Sequence, residues 1–187
     1  MYPYRRRDGS AVEYARSLGA VLAGAVRGHG YSLSPASLLD IPGGARLVLP
    51  SPNGATLSLA TGQQPTFAGC LRNADAVARA AESLGRRILV VPAGERWRDS
   101  HTLRPAFEDL VGAGAIVHHL RGAKSPEAML AEAAFLRFKG ELADCLLSCS
   151  SGRELVEKGF AADVELAAAL DVSSAAPMLV EGAFKIT

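Results

Sequence analysis

The sequence predicts an α/β fold, a three-layer α/β/α arrangement around a largely parallel or mixed sheet, and three observations carry that expectation. Short β-branched runs alternate with longer stretches of helical character along most of the chain, which is the signature of βα units. Ile88-Leu89-Val90-Val91 is an uninterrupted apolar run of the kind buried on both faces of a parallel sheet. The 187 residues are 49% hydrophobic, enough for one sizeable core, so residues 1–187 read as a single α/β domain.

The first expected element is a helix over Ser10–Gly28, followed by a strand near Arg46–Pro50 and a short helix after Asn53. A strand is expected near Pro65–Gly69 and a helix over Asn73–Leu84, for which Asn73 is a suitable cap because its side-chain oxygen can accept an orphan N–H of the first turn. Ile88–Val91 should be a central strand, ended by Pro92, Ala93 and Gly94. A helix over Pro105–His119 starts with proline in its first turn. Its glycines, Gly112 and Gly114, each cost about 1 kcal/mol relative to alanine in a helix and so imply close backbone approach. An alanine-rich helix follows over Ser125–Arg137, capped by Ser125 with Pro126 in its first turn. Glu141–Asp171 reads as helical, with Gly152 and Gly159 as breaks and Leu142–Leu155 as one element. The last strand is Met178–Val180 or Ala183–Ile186.

Composition excludes several function classes. A net charge of +1 and arginines dispersed apart from Arg5–Arg7 give no basic face for nucleic acid. No apolar run reaches the length of a membrane span, and no hydrophobic segment follows the basic N-terminal residues, so a cytoplasmic protein is expected. Cys70, Cys145 and Cys149 lack C-x-x-C spacing and lie in apolar surroundings, which favours buried thiols over disulfides or zinc. His29, His101, His118 and His119 form no metal-ligand pattern, although His101 sits in an acidic loop. The absence of G-x-S-x-G, Walker and G-x-G-x-x-G sequences weighs against serine hydrolases, nucleotide hydrolases and dinucleotide-dependent oxidoreductases.

Charge gathers instead after the Ile88–Val91 run, where Glu95, Arg96, Arg98, Asp99 and Arg104 precede Glu108 and Asp109. Ligands of open α/β sheets bind outside the carboxyl ends of the strands, where this loop would lie. Carboxylates bind hard cations such as Mg2+, and arginines bind phosphate or sulfonate oxygens bidentately. The plainer alternative is that Glu108 and Asp109 complement a helix N-terminus and that the arginines are solvated, and spacing alone favours it. Ser51-Pro52-Asn53-Gly54 can offer N–H groups to an anion or can be a simple tight turn. Ser32–Pro35 is a polar turn that could border the same cleft.

Taken in order, Ser32–Pro35, P-S-P-N-G at Pro50–Gly54, G-C-L-R-N-A at Gly69–Ala74, P-A-G-E-R-W at Pro92–Trp97 and Leu103–Ala115 resemble the 2-phosphosulfolactate phosphatase family. Ser150–Leu155 and Ala162-Asp163-Val164 fit as well, so the resemblance covers nearly the whole chain. It implies an α/β, Mg2+-dependent phosphomonoester hydrolase, of a family assigned to removing phosphate from 2-phospho-3-sulfolactate on the route to coenzyme M. Asn53, Gly54, Asn73, Gly94, Glu95, Glu108 and Asp109 fall on the family's polar motifs. Two departures stand out. The family's opening strand, with its aspartate–valine–leucine–arginine loop, has no counterpart here, since Tyr2–Asp8 resembles the tail of the second strand. Pro52 and Ala55 also replace hydroxyl residues around the asparagine–glycine pair.

The resulting expectation is a Mg2+-assisted phosphatase acting on a small phosphorylated acid, with no nucleic-acid or membrane partner. Glu95, Glu108 and Asp109 are the catalytic candidates, Glu108 and Asp109 being the metal ligands. Arg96 and Arg104 are the anion-binding candidates, and Asn53, Gly54, Asn73 and Gly94 complete the substrate-binding set. A native fold with an extra N-terminal strand is expected, absent here or obtained from a neighbouring subunit of a homodimer. The alternative is a catalytically incomplete member that binds an acidic metabolite or serves as an assembly partner.

Overall fold

The computed structural model describes residues 1–24, 26–97, 99–100 and 102–186. It divides into two units, the first comprising Met1–Thr66 with Met178–Thr187 and the second Phe67–Pro177.

In the first unit, the apolar run before Pro50 forms β3 (Leu47–Pro50), the centre of a three-stranded parallel sheet. Its neighbours are β1 (Tyr2–Tyr4), with Tyr2 opposite Val48, and β2 (Val21–Leu22), with Val21 opposite Leu47. Helix α1 (Gly9–Ser17) is capped by Asp8, whose side chain accepts the Ser10 N–H. The helix expected over Ser10–Gly28 therefore ends at Ser17, giving way to β2, for a local reason. Gly19 takes a positive φ of 58°, the Ala20 N–H reaches Ala15 O, and the Gly19 N–H reaches Arg16 O, which together close the carbonyls of the last turn. Helix α2 (Pro52–Ser58) follows β3 as expected.

The second unit is built on α3 (Ala74–Leu84), α4 (Phe107–His119), α5 (Pro126–Phe138), α6 (Leu142–Ser148), α7 (Ser150–Glu157) and α8 (Ala161–Ala168). Every residue of α4 from Val111 to Val117 is buried, and Val111, Ala115 and Ile116 meet Phe135, Leu142, Leu146 and Val164 in the core. Gly114 permits that depth, because a Cβ there would lie 2.0 Å from the Ala131 carbonyl oxygen of α5. Gly112 meets nothing within 4 Å, so close approach holds for one of the two glycines only. Ser125 caps α5 by accepting the Ala128 N–H, as the sequence predicts.

Four expectations fail here. Ile88–Val91 and Pro65–Gly69 form no strand, since the apolar character of the first is not matched by a hydrogen-bonding neighbour: Leu89 is 86% exposed and Val90 alone packs on the core. Leu142–Leu155 is not one helix, because Cys149 is extended (φ −68°, ψ 167°) and separates α6 from α7. Gly152 is not the break; it lies within α7, where a Cβ would come within 1.7 Å of Leu146 O. Gly159, with φ of 82°, does end α7.

The strands of the second unit are short: β4 (Glu95–Arg96) pairs antiparallel with β5 (Leu103–Arg104). At the C-terminal end, β6 (Pro177–Val180) and β7 (Ala183–Ile186) both form, joined by Glu181 and Gly182. Both joining residues have positive φ, as a type I′ two-residue hairpin turn requires. Among the described residues no helix is long and apolar enough to cross a membrane.

Candidate functional site

Glu108 and Asp109 occupy the first turn of α4, where the partial positive charge of the helix end favours carboxylates. Asp109 Oδ2 accepts the Gly94 N–H at 2.8 Å, which docks the loop before β4 onto the helix start. Gly94 can present that N–H because its φ is 69°, a conformation glycine adopts without steric cost. Burial pushes the Asp109 carboxyl above its ordinary pKa, the Glu108 and Glu95 charges push it further, and the Gly94 bond opposes them. The charges of Glu108 and, more weakly, Glu95 thus bear on Asp109 from two segments.

The β4–β5 pairing sets Glu95 opposite Arg104 and Arg96 opposite Leu103. Arg104 is the better anchored arginine. Its Nη1 donates to Glu154 Oε1 at 3.2 Å, its Nη2 donates to Ser151 Oγ at 3.3 Å, and its guanidinium lies 5.6 Å from the Trp97 ring centre. Arg96 is exposed. Arg98 and His101 lie outside the described residues.

Cys149 adds a contact that sequence reasoning missed. Its Sγ lies 3.7 Å from Glu108 Oε2, in hydrogen-bonding reach for a thiol, and accepts the Gly152 N–H at 3.4 Å as the cap of α7. Burial first, and then the charge of Glu108, push this thiol up. The C-x-x-G spacing at the start of α7 was the available signal. All three cysteines are free, and Cys70 is exposed rather than buried.

Beside the acids opens a cavity of about 290 Å3, bounded by the Gly69–Leu71 loop, the Val90–Ala93 segment and α4. Glu108 and Asp109 are its only charged lining residues among those described, and Leu71, Val91, Ile116 and Leu146 supply apolar wall.

Asn73 supports this wall. Its side chain is buried, accepts the Cys70 N–H at 2.8 Å, and donates to Ala68 O at 3.2 Å and Ala175 O at 2.9 Å. It makes no capping bond to α3, contrary to expectation. Asp171 supplies one from a distant segment, its Oδ1 accepting the Asp75 N–H at 2.9 Å. A single left-handed residue, with φ of 51°, positions that carboxylate, and nothing in the local sequence of α3 announces it.

Asn53 and Gly54 belong to the first unit, in the opening turn of α2, where Ser51 precedes them without a side-chain capping bond. Ser32 and Ser34, in the expected polar turn, are buried, and Ser32 Oγ accepts the Ser34 N–H while Ser37 Oγ accepts the Ser32 N–H. The histidines of α4 pair with acids: His118 Nδ1 lies 3.1 Å from Glu132 and His119 Nε2 2.9 Å from Asp171. Among the described residues no group of three or more histidine, cysteine or acidic side chains is arranged to hold a metal.

Comparison with known proteins agrees with the motif blocks. A sequence profile described as 2-phosphosulpholactate phosphatase matches residues 16–182. A probable 2-phosphosulfolactate phosphatase of Gloeobacter violaceus is 34% identical over 135 residues, 72% of this chain and 55% of its own length. One from Carboxydothermus hydrogenoformans is 33% identical over 141 residues, 72% of this chain and 55% of its own. The 2-phosphosulfolactate phosphatase of Methanothermobacter thermautotrophicus is 29% identical over 180 residues, 94% of this chain and 75% of its own. The chain thus spans little more than half the length of the first two relatives.

Proposed function

The chain belongs to the 2-phosphosulfolactate phosphatase family, and on that premise we propose that it is a Mg2+-dependent phosphomonoester hydrolase acting on a small phosphorylated acid. A place on the route to coenzyme M is proposed on the same ground. The observation that carries the reading is the pair Glu108 and Asp109, which stand together in the first turn of α4, line the cavity of about 290 Å3, and are tied to the loop before β4 through the Gly94–Asp109 bond. No lysine or arginine among the described lining residues relieves that charge.

These residues fit a magnesium ion, which is usually held by one or two carboxylates, with water and substrate phosphate completing its shell rather than a dedicated protein cage. Glu108 and Asp109 would hold it. Bound there, Mg2+ supplies Lewis-acid polarisation of a phosphoryl oxygen and a more acidic water. Glu95 is the proposed general base, and it faces Arg104 across the β4–β5 pair. Arg96 and Arg104 are the proposed phosphate contacts, which would neutralise charge that develops in the transition state. Glu154 and Ser151 fix the Arg104 guanidinium in one orientation, so less rotamer freedom is lost when it meets an anion.

Gly94 and Asn73 act by position, because the Gly94 N–H and the Asn73 amide already have protein partners. Asn53 and Gly54 carry the asparagine–glycine block of the family, and their part in binding substrate is proposed on that resemblance. The test is phosphate release from 2-phospho-3-sulfolactate and other phosphorylated hydroxy acids, with Mg2+ and with EDTA. Release that requires Mg2+ supports the reading. No release from any of them with Mg2+ would leave a catalytically incomplete binding protein.

A further inference from the structure

Helix α5 carries apolar side chains on both of its sides. Ala131 and Phe135 are buried toward α4, where Gly114 leaves room for the Ala131 carbonyl. The opposite side holds Met129, Leu130 and Leu136, which are 58%, 69% and 50% exposed, with exposed Ala133 between them. A helix that is apolar all round is one covered all round, so this outer side calls for a partner.

Spacing identifies the kind of surface that fits it. Pro126, Met129, Ala133 and Leu136 follow one another at intervals of three, four and three residues, the repeat of a seam that packs against another helix. Charge identifies which helix, and in which direction. The remaining exposed residues of α5 are Glu127 in its first turn and Arg137 in its last. An antiparallel copy of the same helix sets the acid of each chain near the arginine of the other at both ends, whereas a parallel copy sets like against like. Centred on Ala133, the antiparallel register places Met129 opposite Leu136 of the second copy and lays the aliphatic stem of Arg137 on the second copy's Leu130. Arg137 pairs with Glu141 on its own chain and has further N–H donors for a second carboxylate. Glu132 would meet its own counterpart on the flank of this seam, but its carboxylate is engaged within its own chain by Lys124 Nζ at 2.7 Å and His118 Nδ1 at 3.1 Å.

We propose that the outer face of α5 is a homodimer interface, in which two copies of this helix pack antiparallel about a two-fold axis at Ala133. The inference stands apart from the phosphatase reading, since none of these residues lines the cavity beside Glu108 and Asp109. One helix face is smaller than the roughly 800 Å2 per partner of a durable interface, so the dimer is a weak one, with a dissociation constant in the micromolar range.

Sedimentation velocity of the full chain, from low micromolar to near millimolar concentration, should show a shift from monomer to dimer. Ala133→Glu brings two carboxylates together on the two-fold axis and should stay monomeric across that range, with unchanged circular dichroism because the position is exposed. Arg137→Glu should weaken the dimer about tenfold by making both end contacts repulsive, and Glu127→Arg added to it should recover most of that loss. The charge exchange decides alone if Ala133→Glu loses its helical signal. A wild type that is monomeric throughout overturns the proposal and leaves this face to a different kind of partner. A dimer that a folded Ala133→Glu protein retains, or a charge exchange that recovers nothing, shows copies meeting elsewhere or in another direction and overturns it as well.

Discussion

Asp109 and Gly94 are joined by one hydrogen bond of 2.8 Å, from the Gly94 N–H to Asp109 Oδ2, which ties the loop before β4 to the first turn of α4. The bond depends on the left-handed backbone of Gly94, and a Cβ at that position would also lie 2.9 Å from Leu103 Cδ1. Gly94→Ala should therefore cost about 1–2 kcal/mol, the usual penalty for a left-handed residue with a side chain. Urea denaturation measures it. A variant as stable as the wild type would show that the loop does not hold this conformation.

Asp109 also makes stability depend on pH. Its folded pKa is raised by burial and by Glu108 and Glu95, so its contribution is fully present below the ordinary carboxylate value and is lost as pH rises through the raised one. Asp109→Asn is uncharged throughout and can still accept the Gly94 N–H. In EDTA its Tm at pH 7 should exceed that of the wild type by a few degrees, and the gap should close as pH falls to about 4. A gap that is constant across this range contradicts the electrostatic account.

Much of this was legible in the sequence because it is local. Ser125 and Pro126 open α5, and Glu108 and Asp109 stand in the first turn of α4, each through chemistry contained in a few neighbouring residues. The errors arose where distant residues decide. Periodicity does not separate a short apolar strand from exposed extended chain, and Ile88–Val91 lacks the ladder partner that would make it a strand. Asp171, far along the chain, takes the capping role expected of Asn73. Of the candidate site, the place of Glu108 and Asp109 in the first turn of α4 was readable from local sequence, whereas the Gly94–Asp109 bond, the anchoring of Arg104 by Glu154 and Ser151 and the thiol beside Glu108 were not.

The paired glycines of α4 separate packing from composition. Gly114→Ala should be destabilising by about 1–3 kcal/mol, because the Ala131 carbonyl 2.0 Å from the new Cβ would force α5 to move. Gly112→Ala meets nothing within 4 Å and should be neutral or stabilising by up to about 1 kcal/mol from helix propensity. Thermal unfolding of the two variants side by side decides this, and equal Tm values would contradict the α4–α5 contact.

Asn73→Ala removes the partner of the Cys70 N–H and of two carbonyls inside the second unit. A loss of about 1–3 kcal/mol is expected, the cost of leaving buried polar groups unpaired. Asn73→Asp keeps the acceptor and loses both amide donors, so it should not restore the wild-type value. Chemical denaturation checks both, and an unchanged midpoint for Asn73→Ala would place the side chain outside the interior.

The central claim is that Glu108 and Asp109 are the metal-holding pair of a phosphatase. Steady-state phosphate release with Mg2+ from wild type, Glu108→Ala and Asp109→Ala, alongside their circular dichroism, tests it most directly. The account predicts kcat lower by about 100-fold or more in each variant. The fold should be retained, since acids at a helix start contribute only about 0.3–1 kcal/mol through the dipole. Wild-type turnover by both variants on every ester that the parent hydrolyses would make these acids structural and contradict the account.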